Sequence, residues 1–135
     1  MASIRHEIII DTPAGHAWDA VRDVGAIHNR LVPGFVTDCR MDGDARVVTF
    51  ANGIVARELI VDLDDKSRRL AWSARGGRLS HHNASLQVFE EGVRQARLVW
   101  IADLLPHEMA PAIDGMIAQG MAAMKRTLEA PARDS

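Results

Sequence analysis

The sequence predicts an α+β fold in which a curved, seven-stranded antiparallel sheet closes around one long C-terminal helix, with two short helices after the first strand. Two observations carry this. From Phe35 to Leu105, short β-type runs alternate with turn signals: Asp42-Gly43-Asp44, Asn52-Gly53, Asp64-Asp65-Lys66-Ser67, Gly76-Gly77 and Glu90-Glu91-Gly92. Loops this short join antiparallel neighbours, because parallel strands need crossovers of about a dozen residues or more. The second observation is Glu108 to Ala130, where Met109, Ile113, Met116, Ile117, Gly120, Met121, Met124 and Leu128 fall in one arc at helical spacing. A sheet with one apolar face must cover it, and this helix is the only element long enough to do so.

Taken in order, Ile4 to Ile10 is β-rich and ends at Asp11, so it reads as strand one. Thr12-Pro13 then supplies an N-cap and a first-turn proline for a helix over Ala14 to Asp23, with Ala17, Trp18 and Val21 on one side. A second short helix spans Val24 to Leu31 and stops at Pro33-Gly34. Six strands follow, over Phe35 to Met41, Ala45 to Ala51, Ile54 to Leu63, Arg69 to Arg75, Leu79 to Phe89 and Val93 to Leu105. Leu105-Pro106 ends the last of them, and Pro111 fits only near the first turn of a helix. The expectation is one domain over 3–130 with a flexible tail at 131–135.

Composition narrows the function. With 135 residues, 47% hydrophobic and 25% charged, the chain is globular. A formal charge of -2 without a basic run excludes the electrostatic footprint of a nucleic-acid binder. Cys39 is the single cysteine, so neither an internal disulfide nor a cysteine-built zinc site is possible. No run is long enough to span a membrane and none reads as a signal peptide, so a cytoplasmic protein is expected, as a monomer or homodimer. His81 and His82 are adjacent on a strand and face opposite sides, and the other histidines lack metal-ligand spacing, so no metal and no cofactor are expected. No phosphate loop, nucleophile elbow or other diagnostic catalytic motif is present.

The order of elements resembles the helix-grip fold of the START-like, or Bet v 1-like (SRPBCC), superfamily, in particular its polyketide cyclase/dehydrase and lipid-transport group. The resemblance runs from about Ser3 to Ala130. It rests on Thr12-Pro13-Ala14 with Trp18, Pro33-Gly34, Arg69-Leu70-Ala71-Trp72, and Trp100 with Leu105-Pro106. It implies the fold more firmly than an activity, because that superfamily includes carriers, receptors and cyclases without a universal catalytic motif.

Strand alternation selects the residues that could meet a ligand. The apolar phase of the last strand carries Trp100 with Ala96, Leu98, Ala102 and Leu104; Trp72 goes with Leu70 and Ala74, and His82 with Ala84, Leu86 and Val88. In the strand from Ile54 to Leu63 the apolar phase is Val55, Leu59, Val61 and Leu63, and it contains Arg57. A bulge would invert such an assignment. Phe35, Cys39 and Met41 form the matching phase of the first meander strand. Two readings stand side by side. In one, a small, largely hydrophobic molecule, aromatic or polyketide-like, lies between sheet and helix against Trp72, Trp100, Met116, Gly120, Met124, Cys39 and Leu59. In the other, an aromatase/cyclase or dehydratase uses the same cavity, with Arg57 stabilising an enolate and His82 moving a proton. Blander alternatives are an Arg57 at the sheet rim or in a slipped register, a hydrogen-bonded His82, and a Gly120 that marks a close helix-to-sheet approach. Whether Arg57 and His82 converge separates chemistry from binding.

Overall fold

In the computed structural model, which describes residues 2–75 and 78–130, strand β1 (Ala2–Ile10) leads into helices α1 (Ala14–Arg22) and α2 (Ile27–Arg30). Six strands follow: β2 (Val36–Asp42), β3 (Ala45–Phe50), β4 (Val55–Asp64), β5 (Arg69–Arg75), β6 (His81–Gly92) and β7 (Gln95–Leu105). A single turn of 3-10 helix, His107–Met109, then opens α3 (Ala110–Glu129). Every pairing is antiparallel, in the order β1-β7-β6-β5-β4-β3-β2. The fold is thus the curved sheet with a long C-terminal helix that the turn spacing predicts. The expected tail at 131–135 and the Gly76-Gly77 turn signal lie outside the described residues.

Helix α3 buries Ile113, Ile117, Gly120, Met121, Met124 and Leu128, which belong to its apolar arc, and Ala123 beside them. It is tied to β1 at several levels: His6 Nε2 and Asp114 Oδ1 are 2.7 Å apart, Lys125 Nζ donates to the Ile9 carbonyl, and Glu129 accepts from the Asp11 amide. At the other side Asp65, in the β4–β5 turn, accepts from Trp18 Nε1 at 2.8 Å and from Arg22 Nε at 2.8 Å, which clasps α1 to the end of the sheet. Asp64 Oδ1 accepts the Lys66 and Ser67 amides in that same turn, the local bonding that makes Asp a turn residue. The N-cap of α1 differs from expectation. Pro13 occupies it, its carbonyl accepts from His16 and Ala17, and Thr12 is buried without capping.

The inner face of the sheet follows the expected phases in β5, β6 and β7, where Leu70, Trp72, Ala84, Leu86, Val88, Ala96, Leu98, Ala102 and Leu104 are buried. Strand β4 is reversed. Val55, Leu59 and Val61 are 53%, 44% and 61% exposed on the outer face, while Glu58 is buried on the inner one. The physical reason lies one strand away. Arg46 stands directly opposite Glu58 in the β3–β4 register, so the inward acid is neutralised where it sits and the phase with more apolar residues is free to face out. A register shift between Ile60 and Asp62 then brings Leu63 back to the inner side, opposite Leu70.

Candidate functional site

Between the inner face and α3 lie two adjacent spaces. The deeper one, about 70 Å³, is enclosed by Leu31, Val36, Val48, Leu70, Trp72, Leu86, Trp100, Ile117 and Met124, among others. The outer one, about 340 Å³, runs from the ends of β4 and β5 to the first turns of α3, where Asn52, Ile54, Arg75, Arg78, Leu79, Met109 and Ala112 form its rim. Phe50, Glu58, His82, Ile113 and Met116 line both and so make the neck between them. Only the outer chamber reaches the size of ordinary small-molecule pockets, about 300 to 1,000 Å³. A ligand body therefore fits there, with the deeper void taking a substituent.

Aromatic rings pack against one another along these spaces. Trp72 and Trp100 meet edge to face at 5.8 Å between centroids, and Phe35 and Phe50 do the same at 5.4 Å. A Cβ built on Gly120 would stand 2.9 Å from Trp100 Cζ3 and 3.3 Å from Phe35 Cε2. Gly120 therefore faces the sheet as expected, but the space beside it is filled by these two rings. It is the close-approach glycine of the blander alternative. Trp100 Nε1 is buried without a hydrogen-bond partner among the described residues, an arrangement that ordinarily costs about 1 to 3 kcal/mol.

The neck is polar. Arg46 Nε donates to Glu58 Oε1 at 2.7 Å, Arg46 NH1 donates to the Val24 carbonyl at 3.3 Å, and its guanidinium carbon lies 5.4 Å from the centre of the Trp72 ring. Registers place Arg46 opposite Glu58, Glu58 opposite Ala74, and His82 opposite Leu104. The last pair between β5 and β6 is Ser73–Asn83, next to Ala74 and His82. Glu58 and His82 thus face the neck from two strands apart, roughly 10 Å by strand spacing. Burial holds the His82 imidazole below its ordinary pKa; the Glu58 carboxylate opposes that shift and His81 adds to it. At neutral pH the ring is uncharged and can accept a proton.

The structure places the residues singled out from sequence in three groups. His82, Trp72, Trp100, Met116 and Met124 line the cavity. Cys39 and Gly120 are buried next to it without lining it: Cys39 Sγ donates to the Val24 carbonyl at 3.5 Å, and burial, the larger effect, raises its thiol pKa. Arg57 and Leu59 are on the outer face, where Arg57 NH2 donates to Asp42 Oδ2 at 3.4 Å with both side chains more than half exposed. Arg57 and His82 do not approach a common point.

Sequence reasoning missed Arg46, Glu58 and Arg78. A signal existed for the first two. Arg46, Val48 and Phe50 alternate in β3, and a tight turn at Asn52-Gly53 folds residue 46 onto residue 58. Among the described residues no group of three His, Cys, Asp or Glu side chains could hold a metal ion.

Comparisons with known proteins agree with this geometry. A family model described as polyketide cyclase / dehydrase and lipid transport matches residues 1–129. No curated protein matches in sequence. Among solved structures, XoxI from Bacillus cereus superposes with a TM-score of 0.85 at 16% identity, covering 95% of this chain and 96% of that one. A protein from Thermobifida fusca reaches 27% identity with a TM-score of 0.74 over 93% and 91% of the two chains. The ZhuI aromatase/cyclase from Streptomyces gives a TM-score of 0.68 at 16% identity, over 94% and 90%.

Proposed function

We propose, from the premise that the chain belongs to the polyketide cyclase / dehydrase and lipid transport family, that it binds a small, largely hydrophobic molecule between the inner sheet face and α3. The observation that carries this is the outer chamber of about 340 Å³, walled by Phe50, Ile54, Leu79, Met109, Ile113 and Met116. Apolar walls supply affinity without direction, and thioethers adapt to the ligand's outline. Direction comes from a few fixed polar groups, here Glu58 and His82 at the neck.

The test is titration with an uncharged solvatochromic dye, read by its emission, on the parent and on Ala112→Phe. Ala112 lines the chamber from an exposed position of α3, so the larger side chain fills space at little cost to the fold. Saturable binding that Ala112→Phe weakens severalfold supports the reading. Equal binding by both proteins, or none by either, overturns it.

One observation favours a second reading, in which the cavity cyclises or dehydrates a polyketide-like substrate. His82, kept neutral by burial, faces the same neck as a carboxylate and could move a proton there. Arg57 has no part in this, since it lies on the far side of the sheet. Arg46 bonds the carboxylate of that neck, and Glu58 already holds it. Binding therefore needs nothing more than the geometry provides, while turnover needs a substrate that reaches His82.

A further inference from the structure

We infer that the ligand of the outer chamber is an uncharged molecule that carries a hydroxyl on its apolar body and turns that hydroxyl toward Glu58 and His82 at the neck. This rests on the binding reading above and adds the chemical class of the ligand. Glu58 is buried on the inner face, His82 is partly buried two strands away, and both line the chamber. Glu58 engages Arg46 through Oε1. Among the described residues no hydrogen bond reaches its Oε2 or either ring nitrogen of His82, yet the polar side-chain atoms sealed without a partner are His28 Nδ1 and Trp100 Nε1. The free atoms of Glu58 and His82 therefore keep access to the spaces their side chains line.

Charge and donor count decide what those atoms take. An ionised carboxylate only accepts, and a neutral imidazole accepts at one nitrogen and donates at the other. Burial keeps the His82 ring neutral at neutral pH. A ligand without a donor would strip water from the carboxylate and return nothing. A hydroxyl donates to Glu58 and can serve His82 in either sense. Ions fit less well. An anion would meet the Glu58 carboxylate in a setting of low dielectric. Arg46 is not free to offset it, since it is held at 2.7 Å by Glu58, donates to the Val24 carbonyl, and lines the deeper space but not the chamber. A ligand cation would have to displace Arg46 from the same carboxylate. The other polar residues of the chamber lining, Asn52, Arg75 and Arg78, are exposed, where water already serves them.

Competition for a neutral dye by naphthol, methoxynaphthalene and naphthoate decides the matter, at neutral pH, where naphthol keeps its proton and naphthoate does not. The proteins are the parent, Arg46→Met/Glu58→Met, which removes the acid together with its cation so that no lone charge is left buried, and His82→Leu. Naphthol should bind the parent about tenfold more tightly than its methyl ether, the scale of a hydrogen bond to a charged group, and naphthoate should bind more weakly than naphthol. Loss of the naphthol preference in the double variant assigns the hydroxyl to Glu58, and loss in His82→Leu assigns it to His82; either supports the inference. Equal affinity for naphthol and its ether, a preference that survives both variants, or tightest binding by naphthoate overturns it and leaves the binding reading standing. Dye that binds but yields to none of the three also overturns the inference alone. Absence of saturable dye binding to the parent overturns the binding reading and the inference with it. The preference is a ratio taken within each protein, so a general loss of affinity does not mimic it, and if a variant fails to fold the parent's own ratio decides.

Discussion

Arg46 Nε and Glu58 Oε1 stand 2.7 Å apart on directly opposed positions of β3 and β4, with side-chain exposures of only 5% and 9%. Removing one partner of such a pair leaves the other charged and buried, which costs about 3 to 5 kcal/mol, whereas replacing both with apolar residues is often neutral or better. Arg46→Met and Glu58→Met should each lower the unfolding free energy read from urea denaturation by that order, and the double substitution should recover most of the loss. Additive losses would mean that the two charges are not coupled through one another.

Gly120→Ala should destabilise the protein although alanine is the better helix former. The added carbon would meet Trp100 Cζ3 at 2.9 Å, and overpacking a core costs about 1 to 3 kcal/mol against a propensity gain of about 1 kcal/mol. The melting temperature falls, and it falls less when Trp100→Leu is made first, since neighbours in contact are not additive.

His82 gives stability a defined pH dependence. Its folded pKa is below the ordinary 6.5 because burial disfavours the cation. Between the folded and unfolded values the unfolded chain binds more protons, so stability falls as pH drops below about 6.5 and stops falling, for this group, beneath the folded value. In His82→Gln, denaturant unfolding followed from pH 7 to pH 5 should show a shallower loss. An unchanged slope would assign the dependence to other groups.

Most of the fold was legible because the turns are written in local chemistry and α3 in a period that no strand shares. The inner faces of β5, β6 and β7 were legible for a related reason, since one phase of each is nearly all apolar. Strand β4 was not, because both its phases are largely apolar: Val55, Leu59 and Val61 outside, Ala56 and Ile60 inside. There a single ion pair, contributed half by β3, decides the side, and β4 alone does not carry that information. Arg57 and Leu59 were misplaced together for this one reason. Arg78 was overlooked because it sits in a connection, where alternation says nothing about direction. At Gly120 the pattern alone could not say whether a ring or a void would fill the space opposite.

The pairing of β1 with β7 joins Ala2 to Leu104 and Ile10 to Ala96. Among the described residues β1 thus has its only sheet neighbour in β7, far along the chain, and Ile4 and Ile10, which end in the core, lack that cover until β7 is in place. Contacts this distant in sequence are the slow ones to form, because the loop must close before any of them contributes. Strands β2 to β7 can pair hairpin by hairpin as they emerge, so β1 is the element for which a folding chain depends on not meeting a foreign edge first.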